Sequence, residues 1–397
     1  VITKEHIREQ AESLQDAAVR VRRHLHKNPE LSFQENQTAA YLRNQLSAIG
    51  IPYRDGLAGN GIVASVIGEL PGRCVALRAD IDALAVTEQN DTDYKSVNEG
   101  VMHACGHDAH TACLLAASEI LYRNRISLAG SIELIFQPAE EIAPGGARTM
   151  IEQGALQPSV THVFGQHVNT ELPVGTVGFC PGLFMASADE IYITVEGRGG
   201  HAAKPHQEID PVVIGSHLVV ALQQIVSRNA DPTIPSVLSF GRFIGAGAAN
   251  VIPDQVRLEG TFRTIDAEWR DDALDRIDRV TQTLVSSFGG KAEVAIVRGY
   301  PPLVNDEETT LFARKRAVQY LGDDAVVDVG AAMWAEDFAY YALERPSCFY
   351  NLGVRNESRG IVHPVHTSRF DIDEDVLSIG SGLLAWIAIG ALEREDD

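Results

Sequence analysis

Apolar residues recur at helical spacing from the start of the chain. Ile7, Ala11, Leu14, Ala18, Val21 and Leu25 share one face, which predicts a single helix over 4–27 that ends near Asn28-Pro29. A second helix is predicted over 36–49, stopped at Gly50. Strand-like runs follow at Gly61 to Ile67 and at Cys74 to Asp80, where Val75 and Leu77 alternate with their neighbours. A helix fits 108–124, and strands fit Ser131 to Phe136 and Thr161 to Val168. Helices and strands alternate, so this part reads as α/β with a largely parallel sheet.

The pattern changes near Ala186. Glu190 to Glu196 reads as a strand, Asp210 to Arg228 as a helix, Ser236 to Phe243 and Gln255 to Arg263 as strands, Asp266 to Phe288 as a helix and Ala292 to Arg298 as a strand. That order, β-α-β-β-α-β, is the split pattern of a ferredoxin-like domain. Pro301-Pro302 leads back to α/β sequence, with a helix over Glu307 to Leu321, a strand over Ser347 to Leu352 and a helix over Glu374 to Glu393. The expected organisation is a larger domain made of 1–185 and 300–397, with 186–299 inserted into it.

Composition narrows the function. With 397 residues, 45% hydrophobic and 22% charged, the chain can bury a large core without disulfides. A net charge of -21 argues against a nucleic-acid groove. The cysteines, Cys74, Cys105, Cys113, Cys180 and Cys348, are odd in number and lack framework spacing, which favours a reducing compartment. No secretory profile opens the chain, and the apolar run Leu383 to Leu392 is too short to span a bilayer. A cytoplasmic protein without membrane or nucleic-acid partners is expected.

Candidate chemistry lies in four places. Met102-His103-Ala104-Cys105-Gly106-His107-Asp108-Ala109-His110 crowds thiol and imidazole groups suited to zinc and its neighbours. Gly106 would let Cys105 and His107 converge, and the N-terminus of the following helix would favour thiolate character. Glu140-Glu141 follows a strand. Two adjacent acids there can divide the work, one binding metal and the other taking a proton from metal-activated water. His167 ends an apolar run, and His363 or His366 precedes the last helix. Asp80 and Asp82, at the end of the Cys74 strand, suit the orientation of ligating imidazoles. Near 80, 140 and 167, the acids and ligand candidates fall at or just beyond strand C-termini, and the 105–107 pair leads into a helix on the same sheet. In parallel sheets such ends form one rim.

The chain resembles the amidohydrolase branch of the aminoacylase/carboxypeptidase-type dinuclear metallopeptidases, which includes hippurate hydrolases, auxin-conjugate hydrolases and N-acetyl-diaminopimelate deacetylases. The matching segments run almost end to end: Arg22 to His26 with Pro29-Glu30, Leu77 to Leu84, Met102 to His110, Gln137 to Glu141, Phe164 to His167, Gly197 to Ala203, Asn250 to Pro253 and His366 to Phe370. The resemblance implies a zinc-exopeptidase-like catalytic domain and an inserted lid or dimerisation domain. It implies two divalent ions, zinc or manganese with cobalt or nickel as alternatives, held by Cys105, His107, Glu141, His167 and His366, with Cys105 bridging. Glu140 becomes the general base, and His201 and Asn250 become substrate or oxyanion contacts. The implied activity is hydrolysis of small N-acyl amino acids, by a homodimer or larger homo-oligomer formed through the inserted domain. Ala85, Thr87 and Ile142-Ala143-Pro144 depart from the pattern near the cleft without touching the ligand set. The competing readings are a dipeptidase or aminopeptidase on the same metals, a metal-dependent binding protein, and a cysteine hydrolase using Cys105 with His107.

Overall fold

A computed structural model of the chain describes residues 2–394. The fold divides into two compact units. One comprises Val1–Gly182, Val304–Gly330 and Asp337–Asp397, the other Leu183–Leu303 and Ala331–Glu336. The short return of 331–336 to the second unit has no counterpart in the hydrophobic pattern, because six residues are too few to show a period.

The first unit is built on an eight-stranded sheet. Across it run Tyr53–Leu57, Gly61–Ile67, Ala129–Gln137, Leu70–Asp80, Val160–Pro173, Ser347–Arg355, Val177–Phe179 and Val326–Asp328. The four central strands, from Ala129–Gln137 to Ser347–Arg355, are mutually parallel, while antiparallel pairs occur towards both edges. The fold is therefore mixed α/β with a mostly parallel centre. Buried on both faces, the central strands carry near-continuous apolar runs. Helix His107–Arg123 packs against the Leu70–Asp80 strand and against helix Val376–Leu392, which is buried along its whole length. No helix among the described residues is long and apolar enough to cross a membrane.

The long helix expected over 4–27 is instead two, Lys4–Ser13 and Gln15–Lys27, separated by Leu14. Leu14 is itself buried, and the apolar face continues through the break. Periodicity reports which face is covered, and a one-residue interruption leaves that face intact.

In the second unit, strands Ser236–Ile244, Gln255–Thr264, Asp189–Glu196 and Lys291–Arg298 lie in that order, every pair antiparallel. Helices Pro211–Gln224 and Ala267–Ser287 cover one face, where Ile191, Ile193 and Val195 meet Leu218, Leu222, Leu274 and Ile277. Asp210 starts the first helix by accepting from the N–H groups of Val212 and Val213. Buried Asp189 accepts two bonds from Arg270, at 2.8 and 2.6 Å. Arg270→Leu leaves that buried carboxylate without its cation, with the Gly299 N–H still donating at 3.3 Å, and a loss of ~3–5 kcal/mol is expected for this unit in denaturant titrations. A loss below about 1 kcal/mol would show that Asp189 finds other partners.

Candidate functional site

Three chain segments converge beyond the C-terminal ends of the central strands. The first turns at Gly106, which has φ +88°; a Cβ there would lie 2.4 Å from Val168 Cγ2. Only glycine fits, and the turn sets Cys105 and His107 on one side of the helix start. His107 Nδ1 faces two acceptors, the Asp82 backbone oxygen at 2.9 Å and Asp82 Oδ1 at 3.2 Å. Nδ1 must therefore carry the proton, which directs Nε2 into the site.

The second segment follows strand Ala129–Gln137. Ala139 adopts φ +55°, and its carbonyl accepts from the N–H of Gly146. A Cβ on Gly146 would stand 1.9 Å from the Pro138 oxygen, so the loop closes only with glycine at that position. Within this closed loop, the Glu141 N–H donates to Asp82 Oδ2 at 3.0 Å, and Glu140 Oε1 accepts from the Asp337 N–H at 3.4 Å.

His366 supplies the third segment, from a left-handed backbone conformation (φ +62°) held by donation of its N–H to the Ala104 oxygen. His167 lies within its strand, opposite Asn351, and not at the strand end the alternation suggested. The strand continues to Pro173 because Ser347–Arg355 pairs with it throughout. His167 Nδ1 donates to the Val168 oxygen at 2.8 Å, which turns Nε2 inwards.

The resulting distances are short. Cys105 Sγ lies 3.4 Å from His167 Nε2 and 3.3 Å from His366 Nε2. Glu141 Oε1 lies 3.7 Å from His107 Nε2 and 3.4 Å from His366 Nε2. Donor atoms of Cys105, His107 and His167 fall within 4.8 Å of one another, as do those of Cys105, Glu141 and His366. His107 Nε2 and Glu141 Oε1 are buried and have no hydrogen-bond partner among the described residues. Ligands ~2.0–2.3 Å from one tetrahedral ion stand roughly 3.3–3.7 Å from each other. The donor set and its unsatisfied buried atoms thus fit metal ions.

The buried carboxylates around these groups give the site the negative potential that a cation requires. Burial opposes a charged His107, but Asp80, Asp82 and Glu141 outweigh it and raise its pKa to about 10. Burial, then the nearby His110, pushes His167 well below its ordinary value. Burial, reinforced by Glu141 and Glu140, pushes the Cys105 thiol up. The helix N-terminus was expected to favour the thiolate. Burial and the surrounding carboxylates win instead, because full charges nearby outweigh the partial charge of a helix end.

Of the acids expected to orient imidazoles, Asp82 holds His107, and Asp80 accepts from His110 Nδ1 at 2.7 Å. His363 lies apart, lining a surface pocket with Asn90, Arg369 and Asp371. His201 and Asn250 belong to the second unit. There, Gly200–His201 pairs with Val251–Ile252, and the Asn250 carbonyl accepts from the Ala202 N–H. Sequence reasoning missed Asp337, which takes bonds from Arg78, Gln137 and the Ala147 N–H. It also missed Ser32, whose hydroxyl donates to Asp82 Oδ2. The available signal was Arg78, a charged residue within the apolar run Cys74 to Ala79 of a central strand.

The model of peptidase family M20/M25/M40 matches residues 76–388. The chain belongs to this family. It is 42% identical over 385 residues to the N-acetyl-L-cysteine deacetylase of Bacillus subtilis, covering 97% of this chain and 90% of that one. It is 37% identical to thermostable carboxypeptidase 2 of Saccharolobus solfataricus, over 97% and 98% of the two chains. The crystal structure of the B. subtilis YxeP protein, a dinuclear metal-binding peptidase of family M20, superposes with a TM-score of 0.83 at 34% identity, over 97% of this chain and all of that one. This M20-family chain is accordingly a hydrolase of amide bonds, and its central sheet is that of the M20 peptidase fold.

Proposed function

We propose that the protein hydrolyses the amide bond of N-acyl amino acids, with two divalent cations held by Cys105, His107, Glu141, His167 and His366. One observation carries the reading. Of the five candidate donor groups among the described residues, Cys105 joins two, with His107 and His167 in one and with Glu141 and His366 in the other. That arrangement suits two ions sharing a thiolate. When bound, the cations supply Lewis-acid activation of water and of the carbonyl. A thiolate with imidazoles favours zinc, and the carboxylate keeps manganese, cobalt and nickel possible on the same donors.

Glu140 is the general base. It is buried at the rim beside Glu141, and it is not needed to complete either of the two groups that share Cys105. Its carboxylate accepts the proton of the attacking water and returns it to the leaving nitrogen as the C–N bond breaks. The products are a carboxylic acid and a free amino acid. His201 and Asn250 are read as contacts to the substrate or its oxyanion, where one donor is worth ~3 kcal/mol. We read the second unit as a ferredoxin-like lid and as the surface of a homodimer or larger homo-oligomer, a reading supported by its antiparallel strand order.

The deacetylase relative supports an acyl amino acid as substrate, and the carboxypeptidase relative supports a peptide. A panel of N-acetyl and N-benzoyl amino acids set against dipeptides, run with zinc, manganese, cobalt and nickel in turn, separates them. The proposal expects kcat/KM for at least one acyl amino acid to exceed every dipeptide by at least about tenfold, a transition-state difference of ~1.4 kcal/mol. Higher values for dipeptides would turn the assignment to a peptidase.

A further inference from the structure

We infer that Glu35 is a positioning residue for Glu140, holding the loop that presents the base. The inference rests on the proposed role of Glu140. Glu35 is fully buried, directly before helix Asn36–Ile49. A side chain in that place often accepts from the first-turn N–H groups of its own helix. Glu35 does not, because Glu30 accepts from the N–H groups of Gln37 and Thr38 instead. The Glu35 side chain is thereby released to reach across the sheet rim.

There, Glu35 Oε1 accepts from two backbone N–H groups, Ala139 at 2.9 Å and Phe33 at 2.9 Å, and Oε2 accepts from Asn60 Nδ2 at 3.1 Å. Ala139 directly precedes Glu140 and is one of the few non-glycine residues with positive φ. An alanine holds that conformation only when its surroundings over-determine it. Two bonds do so: its N–H to Glu35 and its carbonyl to Gly146. Glu141 is secured separately, by donation of its own N–H to Asp82. Two neighbouring acids therefore have different anchors, the ligand on Asp82 and the base on Glu35. Loosening the Glu35 anchor should displace Glu140 while leaving Glu141 in place. Burial, partly offset by these hydrogen bonds, raises the Glu35 pKa to about 6, as expected of a carboxyl kept inside for its reach.

Two variants separate reach from charge. Glu35→Gln keeps an oxygen within range of both N–H groups, with the Asn60 amide free to rotate. Glu35→Asp keeps the charge but is one methylene short of Ala139. The intact metal-loaded protein should show Glu35→Asp lowering kcat by about 10–100-fold with KM within about twofold, since displacement near 1 Å costs rate of that order. Glu35→Gln should stay within about threefold of the parent kcat, as both backbone N–H groups keep an acceptor oxygen, now a neutral one. Metal content should match the parent in both. Hydrogen exchange of the peptide spanning 138–146, read without substrate, should quicken about tenfold in Glu35→Asp and remain slow in Glu35→Gln. Loss of rate in Glu35→Gln equal to that in Glu35→Asp overturns the inference, as does unchanged exchange or loss of metal in Glu35→Asp. Full activity in Glu140→Gln overturns the proposed function instead, whatever the Glu35 variants show.

Discussion

Glu140→Gln is expected to lower kcat by about 10²–10⁴-fold, the range a positioned general base contributes. The amide is nearly isosteric and can still accept from the Asp337 N–H, so the fold and the neighbouring Glu141 should be undisturbed. Metal content by elemental analysis and the melting temperature should therefore match the parent. What is lost is a group able to take the proton of water and return it to the leaving nitrogen. The pairing of measurements is what makes the result informative. A dead variant with two ions bound assigns Glu140 to proton transfer. A dead variant without ions would place it among the ligands, and near-parent turnover would remove it from the reaction.

Cys105→Ala is expected to abolish activity together with metal. Each of the two donor groups loses a member at once, because Sγ stands 3.4 Å from His167 Nε2 and 3.3 Å from His366 Nε2. Stoichiometry after dialysis against limiting metal should fall from about two ions to fewer than one, the outcome expected when a shared thiolate is removed. His366→Ala touches only the group with Glu141 and should keep the other ion. Chelated parent protein should be inactive and should recover when metal is restored. A Cys105→Ala protein that retained both ions but lost turnover would favour a nucleophilic thiol.

Much of the fold is legible in the hydrophobic pattern. The strand at Gly61–Ile67 and the helix at Glu307–Leu321 coincide with their expected limits, and most other elements differ by a few residues at an end. These elements carry clear periods because one or both faces are buried. Elements without a period escaped: the edge strands Tyr53–Leu57 and Val326–Asp328, the short strand Val177–Phe179 beside the latter, and the short helices Gly146–Glu152 and Ala339–Glu344. A strand of three residues offers too little alternation to register. The break at Leu14 escaped for the opposite reason, since the apolar stripe runs through it unbroken.

The candidate site divides along a similar line. The Met102–His110 block announced its chemistry locally, because ligand-type side chains crowd into nine consecutive positions. Glu141, His167 and His366 were readable as candidates only jointly, and the choice between His363 and His366 needed the family resemblance. The structure then set His366 beside Cys105, using a left-handed backbone that no local signal in a histidine foretells.

By itself, then, the sequence determined the order of the longer elements, the crowding of thiol and imidazole groups at 102–110, and the presence of two adjacent acids after a central strand. Those are properties of local spacing. Tertiary structure alone decided the rest. It brought Cys105 within range of His167 and His366, 62 and 261 positions away in the chain. It also gave Glu141 to Asp82, and the backbone before Glu140 to Glu35, 104 positions from Ala139. Hydrogen bonds and ligand geometry depend on ångström distances between remote segments, and only the parallel sheet, by aligning its strand ends on one rim, sets those distances.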